Sequence, residues 1–111
     1  MAWRIEYYSE AVEQSILHLP PGLLARYLRL TDLMLELGPN LGMPHTRAMG
    51  EGLLELRVKG KEGLARVFYG TLAGRRIRML HTFLKKSQKT PARELDIARR
   101  RLRRVLSDDT R

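Results

Sequence analysis

"LHTFLKKSQKTPARELDIARRRLRRV", residues 80–105, contains the change of period on which the fold turns. It opens as an apolar, β-rich run and passes into lysines at 85, 86 and 89. Beyond Thr90 and Pro91, Leu95, Ala98, Leu102 and Val105 or Leu106 recur at helical spacing. Thr90 and Pro91 suit the N-cap and N1 positions of this helix, with Arg93 at N3 and Glu94 one residue late for a capping box. The spacing thus predicts a strand, a positive junction and a C-terminal helix.

Upstream, "LLELRVKG" sets Leu54, Leu56 and Val58 against Glu55, Arg57 and Lys59, and "LARVFYG" and "RIRMLHTFL" continue the strand character. Turns at "KGKEG" and "LAGRR" join the three runs into a meander. The preceding "GPNLGMPHTRAMGEG", residues 38–52, has Gly and Pro without a period and reads as a connecting loop. Nearer the N-terminus, "WRIEYY" predicts a strand at about residues 2–8, with Trp3, Ile5 and Tyr7 on one face. Ser9 suits an N-cap for a short helix carrying Val12, Ile16, Leu17 and Leu19 up to "PPG" at 20–22. A longer helix follows from Leu23 to Leu37, with Leu24, Tyr27, Leu28, Met34 and Leu35 as its stripe, Thr31 between, and "GPN" as its stop. The expected order is β-α-α-β-β-β-α, an α+β fold. Its antiparallel-rich sheet packs one face on the helical hairpin and shows Arg and Lys on the other.

The 111 residues are expected to form one domain, 1–111, and an apolar fraction of 43% with 30% charged residues describes a folded, soluble chain. Cysteine is absent, which excludes disulfides, a thiolate nucleophile and zinc sites that need thiolates. The first residues lack the pattern of a signal peptide, and no apolar run approaches the roughly 18 residues of a membrane span, so a cytoplasmic location is expected. The net charge of +9 is unevenly placed: residues 1–56 hold 4 Lys/Arg against 7 Asp/Glu, whereas residues 57–104 hold 16 against 3. A polyanion-binding surface built from the second half follows, with nucleic acid the commonest partner.

The element order, the "LLELRV" strand, "ARVFYG" and above all "LHTFLKKSQKTP" followed by "ARELDIARRRL" resemble the RelE/HigB superfamily of type II toxins, in its phage-derived HigB-like branch. The resemblance spans nearly the whole chain. It implies a RelE-like fold and a small basic endoribonuclease that cleaves messenger RNA in the ribosomal A site. It also implies a helix-turn-helix protein antitoxin as partner, acidic where it meets the basic face, and no metal or cofactor. In such cleavage the 2′-hydroxyl attacks the adjacent phosphate. A group must take the 2′ proton, cations must offset charge on the phosphate oxygens, and a donor must serve the leaving oxygen. Arginine supplies the second need, and a lysine of lowered pKa among other cations could supply the first.

Carried onto this chain, the resemblance implies catalytic roles for Arg57, Arg66, Lys85 and Lys86, with Arg66 gripping the phosphate through its guanidinium fork. Tyr69, Phe83, Lys89 and Thr90 fall on or beside its motif positions, and Lys59 lies on the same basic strand as Arg57. His81 has the titration range for proton transfer, but its parity with Met79 and Phe83 fits a packed, hydrogen-bonded histidine equally well. Arg99, Arg100 and Arg103 of "RRRLRR" could hold RNA backbone or simply be solvated. Trp3, Tyr7, Phe83, Phe68 and Tyr69 could be core, and His18 and His45 fall at solvent or packing positions. Two other functions share these features: a non-catalytic RNA- or ribosome-binding module, and an inactive toxin homologue that serves as antitoxin partner and operon regulator.

Overall fold

In the computed structural model, which describes residues 2–85 and 90–109, the chain runs β1 (Arg4–Tyr7), α1 (Glu10–Leu17), α2 (Pro21–Leu37), β2 (Thr46–Gly50), β3 (Leu53–Gly60), β4 (Gly63–Leu72), β5 (Arg76–Lys85) and α3 (Ala92–Asp109). The strands form one mixed sheet in the order β1-β5-β4-β3-β2, parallel between β1 and β5 and antiparallel elsewhere. The fold is therefore α+β with one strand more than the sequence suggests. The extra strand is β2, inside the stretch read as a loop. It is a five-residue edge strand, "TRAMG", closed onto β3 by Glu51 (φ 54°) and Gly52 (φ 83°). Two successive positive φ values make the type I′ geometry of a tight hairpin, and glycine takes the second without steric cost.

Alternation then sorts the side chains onto two faces. Leu56, Val58, Ala65, Val67, Tyr69, Ile77 and Met79 pack under α1 and α2 together with Ile16, Leu23, Tyr27, Leu30 and Met34. The opposite face is not left open: Leu53, Phe68, Leu72 and Leu80 form a second core with Ala98, Leu102 and Val105 of α3. The C-terminal helix buries the stripe its spacing predicts, and each of its larger apolar side chains removed from water contributes roughly 1.5–3 kcal/mol. Gly70 lets it come close, since a Cβ there would lie 2.5 Å from Leu102 Cδ1.

Other expectations shift in detail. The buried stripe of α2 is Leu23, Tyr27, Leu30, Thr31 and Met34, while Leu28 is 48% exposed. Leu17, too, points outward. Ser9 caps α1 as expected, its Oγ accepting from Val12 N–H at 3.2 Å. "PPG" begins α2 rather than merely ending α1, and the N-terminus of α2 gains a distant cap, because Gly22 N–H donates to Glu62 Oε2 at 2.8 Å from the β3–β4 turn. In α3, Pro91 O accepts from Leu95 N–H, so Pro91 stands at the N-cap position and Thr90 just outside it. Among the described residues no helix is long and apolar enough to cross a membrane.

Candidate functional site

The second core covers only part of its face. Beyond Phe68 the α3 side of the sheet carries charge, in rows set by strand register. Arg57 on β3 lies opposite Arg66 on β4, which lies opposite Phe83 on β5, and in the next row Lys59, Leu64 and Lys85 are partners. The row nearer the core holds Glu55, Phe68 and His81, with Arg47 opposite Glu55 on β2.

A β-bulge puts β5 in this arrangement. Pairing passes from Tyr69–Met79 to Phe68–His81, so Leu80 is an extra residue. Met79 belongs to the core under α1 and α2, whereas Leu80 and Phe83 pack in the core under α3. His81 accordingly does not share a face with Met79, contrary to the plain alternation of the sequence. Bulges of this kind re-aim side chains beside functional sites. His81 Nε2 lies 3.0 Å from Glu94 Oε2 on α3, and the imidazole stacks on Phe83 with ring centroids 6.2 Å apart. This is the packed, hydrogen-bonded histidine of the two readings.

Arg66 departs furthest from expectation. Its side chain is 5% exposed, and its Nη1 donates to Glu55 Oε2 at 2.5 Å and to Thr90 Oγ1 at 3.4 Å. Glu55 is wholly buried, and Arg47 Nη2 stands 3.7 Å from its other oxygen. Among the described residues Arg57 Nε, Arg66 Nε and Glu55 Oε1 are buried without a hydrogen-bond partner. Arg66 is thus not a free surface fork. It is a fixed guanidinium, already paired on one side. Glu55 was hidden in the sequence as one more polar residue of an alternating strand. Its signal was being the one acid on the face of β3 that it shares with Arg57 and Lys59.

Lys85 completes the group. Its pKa is lowered, first by desolvation and then by the charge of Arg66, with Arg57 and Arg47 adding to the repulsion and Glu55 opposing it. Arg47, Arg57, Arg66 and Lys85 therefore surround a single carboxylate. Such an excess of cations with unused N–H donors favours an anion, and guanidinium geometry fits both carboxylates and phosphodiesters. On the far side of Arg57 a cleft of about 220 Å³ extends the basic surface to Lys59, Arg26 and His45.

The remaining candidates separate. Phe83 is half-buried against the second core and stacks on Phe68 with centroids 5.8 Å apart. Tyr69 is on the opposite face, wholly buried, with its hydroxyl donating to Pro39 O and its pKa raised by burial, so it contacts no RNA. Arg99 is tied to the β2 hairpin, donating to Met49 O at 2.7 Å and Gly50 O at 3.1 Å. Arg100 and Arg103 are exposed on α3. Lys86 and Lys89 lie outside the described residues.

A comparison with curated proteins found no match. A family model, described as phage derived protein Gp49-like (DUF891), matches residues 14–103, from the middle of α1 through the hairpins that carry the basic rows and into α3. That family is associated with toxin–antitoxin systems. With most of its length matched, the chain belongs to the phage-derived Gp49-like family.

Proposed function

We propose that the protein is the toxin of a type II toxin–antitoxin pair, of RelE/HigB type, and acts as a metal-independent endoribonuclease on messenger RNA. The observation that carries this reading is the gathering of Arg57, Arg66 and Lys85 on one sheet face, with buried guanidinium N–H groups that no described residue satisfies. A scissile phosphate placed there meets Arg57 and the Nε side of Arg66, which offset the charge that develops as the 2′-oxygen attacks. Lys85, with its proton held less tightly than an ordinary lysine's, is the group suited to exchange a proton at the 2′ or leaving oxygen. His81, already engaged by Glu94, serves to hold α3 against β5. With His81 engaged by Glu94, no unengaged His/Glu pair stands beside these cations among the described residues, which favours a substrate positioned by the ribosome. A helix-turn-helix antitoxin with an acidic segment is the partner that such a surface calls for.

The pairing of Arg66 with Glu55 supports a second reading, in which the chain binds RNA or its antitoxin without cutting. Mapping of 5′-hydroxyl RNA ends after brief induction separates the two. Wild type and the variants Arg57→Ala and Lys85→Ala are compared at matched soluble expression. New ends inside translated frames, from wild type alone, are expected. No new ends from wild type would leave the binding module or the inactive homologue.

A further inference from the structure

A second basic cleft lies on the other flank of α3, away from Arg57 and the β2 hairpin. It encloses about 530 Å³ between α3 and the corner where β1 meets α1, and is lined by Tyr8, Ile97, Arg100, Arg101 and Arg104. Arg101 is held there in two ways: its Nη1 donates to Leu80 O at 2.7 Å, and its guanidinium lies 4.9 Å above the Tyr8 ring. The carbonyl it uses belongs to the bulged residue, so the backbone irregularity that aims His81 also anchors this arginine. Among the described residues neither Arg100 nor Arg101 has a carboxylate within ion-pair distance, and the contact of Arg104 with Asp108, at 3.5 Å, is solvent-exposed and weak. A preorganised guanidinium, two further arginines and an aromatic ring form the arrangement that tracks a nucleic-acid backbone.

Continuity with the first site gives the cleft its meaning. Arg101 also lines a groove containing His81 and Thr82, which stand beside Phe83 and hence beside Arg66. The positive run ends beyond Tyr8, where Glu6 pairs with Arg78 and Arg76, and Asp109 with Arg76. We propose that the Arg100–Arg101–Arg104 cleft is a second phosphate subsite, which holds the backbone of the RNA strand flanking the site at Arg57 and Lys85. This rests on the reading of the protein as one that acts on RNA.

The test is fluorescence anisotropy with a labelled 2′-O-methyl RNA oligonucleotide, which cannot be cut, measured across a salt series. The variants are Arg100→Gln/Arg104→Gln, both at exposed positions, and Arg101→Gln. The double variant should bind about tenfold more weakly and lose roughly 0.7 of log–log salt slope per arginine removed. Arg101→Gln should lose a similar amount, with an unchanged circular dichroism spectrum. Wild-type affinity and slope in the exposed double variant would overturn the subsite, whatever the cleavage assay shows, as would failure of the wild-type protein to bind the oligonucleotide. Unchanged RNA binding with lost affinity for an acidic peptide such as oligoglutamate would assign the cleft to a protein partner instead. Loss of RNA affinity in the variants, in a protein that yields no new 5′-hydroxyl ends, would keep the subsite while the endonuclease reading falls.

Discussion

Replacing Glu55 by Gln should destabilise the protein by about 3 kcal/mol. The carboxylate is wholly buried, 2.5 Å from Arg66 Nη1, and Arg66 itself is nearly so. With charge centres about 4 Å apart and an effective dielectric near 20, their attraction is about 4 kcal/mol. Removing one partner of a buried pair typically costs 3–5 kcal/mol, because the other charge is left uncompensated. Here the loss also leaves Arg66, Arg57 and Lys85 to repel one another. Residual solvation of Arg47, whose side chain is 47% exposed, makes its contribution small. Against a total stability of roughly 5–15 kcal/mol, such a change is large. Urea unfolding at neutral pH, followed by circular dichroism, measures it, and a double-mutant cycle with Arg66→Met isolates the pair. The coupling should exceed about 1 kcal/mol and respond weakly to salt. A cost below about 1 kcal/mol for Glu55→Gln, or a coupling within about 0.5 kcal/mol of zero, would refute the account. The same physics makes Arg66→Ala a poor test of chemistry, since it strands Glu55. Arg57 and Lys85 are the better probes.

Three other outcomes are expected. Gly70→Ala places a methyl against Leu102 and should cost about 1–3 kcal/mol by the same unfolding assay, through displacement of α3. Spectrophotometric titration should show that Tyr27 and Tyr69 do not ionise in the folded protein at pH values where an ordinary tyrosine does. Both have pKa values raised chiefly by burial, so their contribution to stability is full below the ordinary tyrosine value and is lost as pH climbs above it, and alkaline unfolding should release them together. RNA affinity at fixed ionic strength should fall as pH rises through the lowered pKa of Lys85, before ordinary lysines titrate. Lys85→Arg should remove that fall, and an identical profile in both proteins would show that Lys85 does not touch the phosphate.

What could be read from the sequence was what a single period determines. The α3 stripe was legible because Ala98, Leu102 and Val105 stand out against arginines, and β3 because its alternation is clean. The face of α2 was misjudged because leucine occurs at 23, 24, 28, 30, 33, 35 and 37, so two overlapping stripes compete and only the tertiary fit chooses between them. The strand β2 gave no signal, since an edge strand of five residues with Ala48 outward needs no apolar alternation. The basic residues were visible as a class. Their sorting was not, because whether Arg66 is paired, Tyr69 is core or Arg99 is tied to the β2 hairpin depends on cross-strand register and helix placement.

The extra residue at Leu80 also bears on how relatives of this chain should be aligned and altered. Strict alternation from Ile77 and Met79 at unchanged chain length would carry residues 81, 83 and 85 into the layer beneath α1 and α2, whereas deletion of Leu80 would leave a plain strand with His81, Phe83 and Lys85 still opposite Phe68, Arg66 and Leu64. One residue inserted between His81 and Lys85, by contrast, would turn Lys85 to the other face, out of the cation cluster, without its being mutated. Such an insertion is therefore expected to abolish the site more completely than loss of any one of its side chains, while loss of the bulge residue spares it.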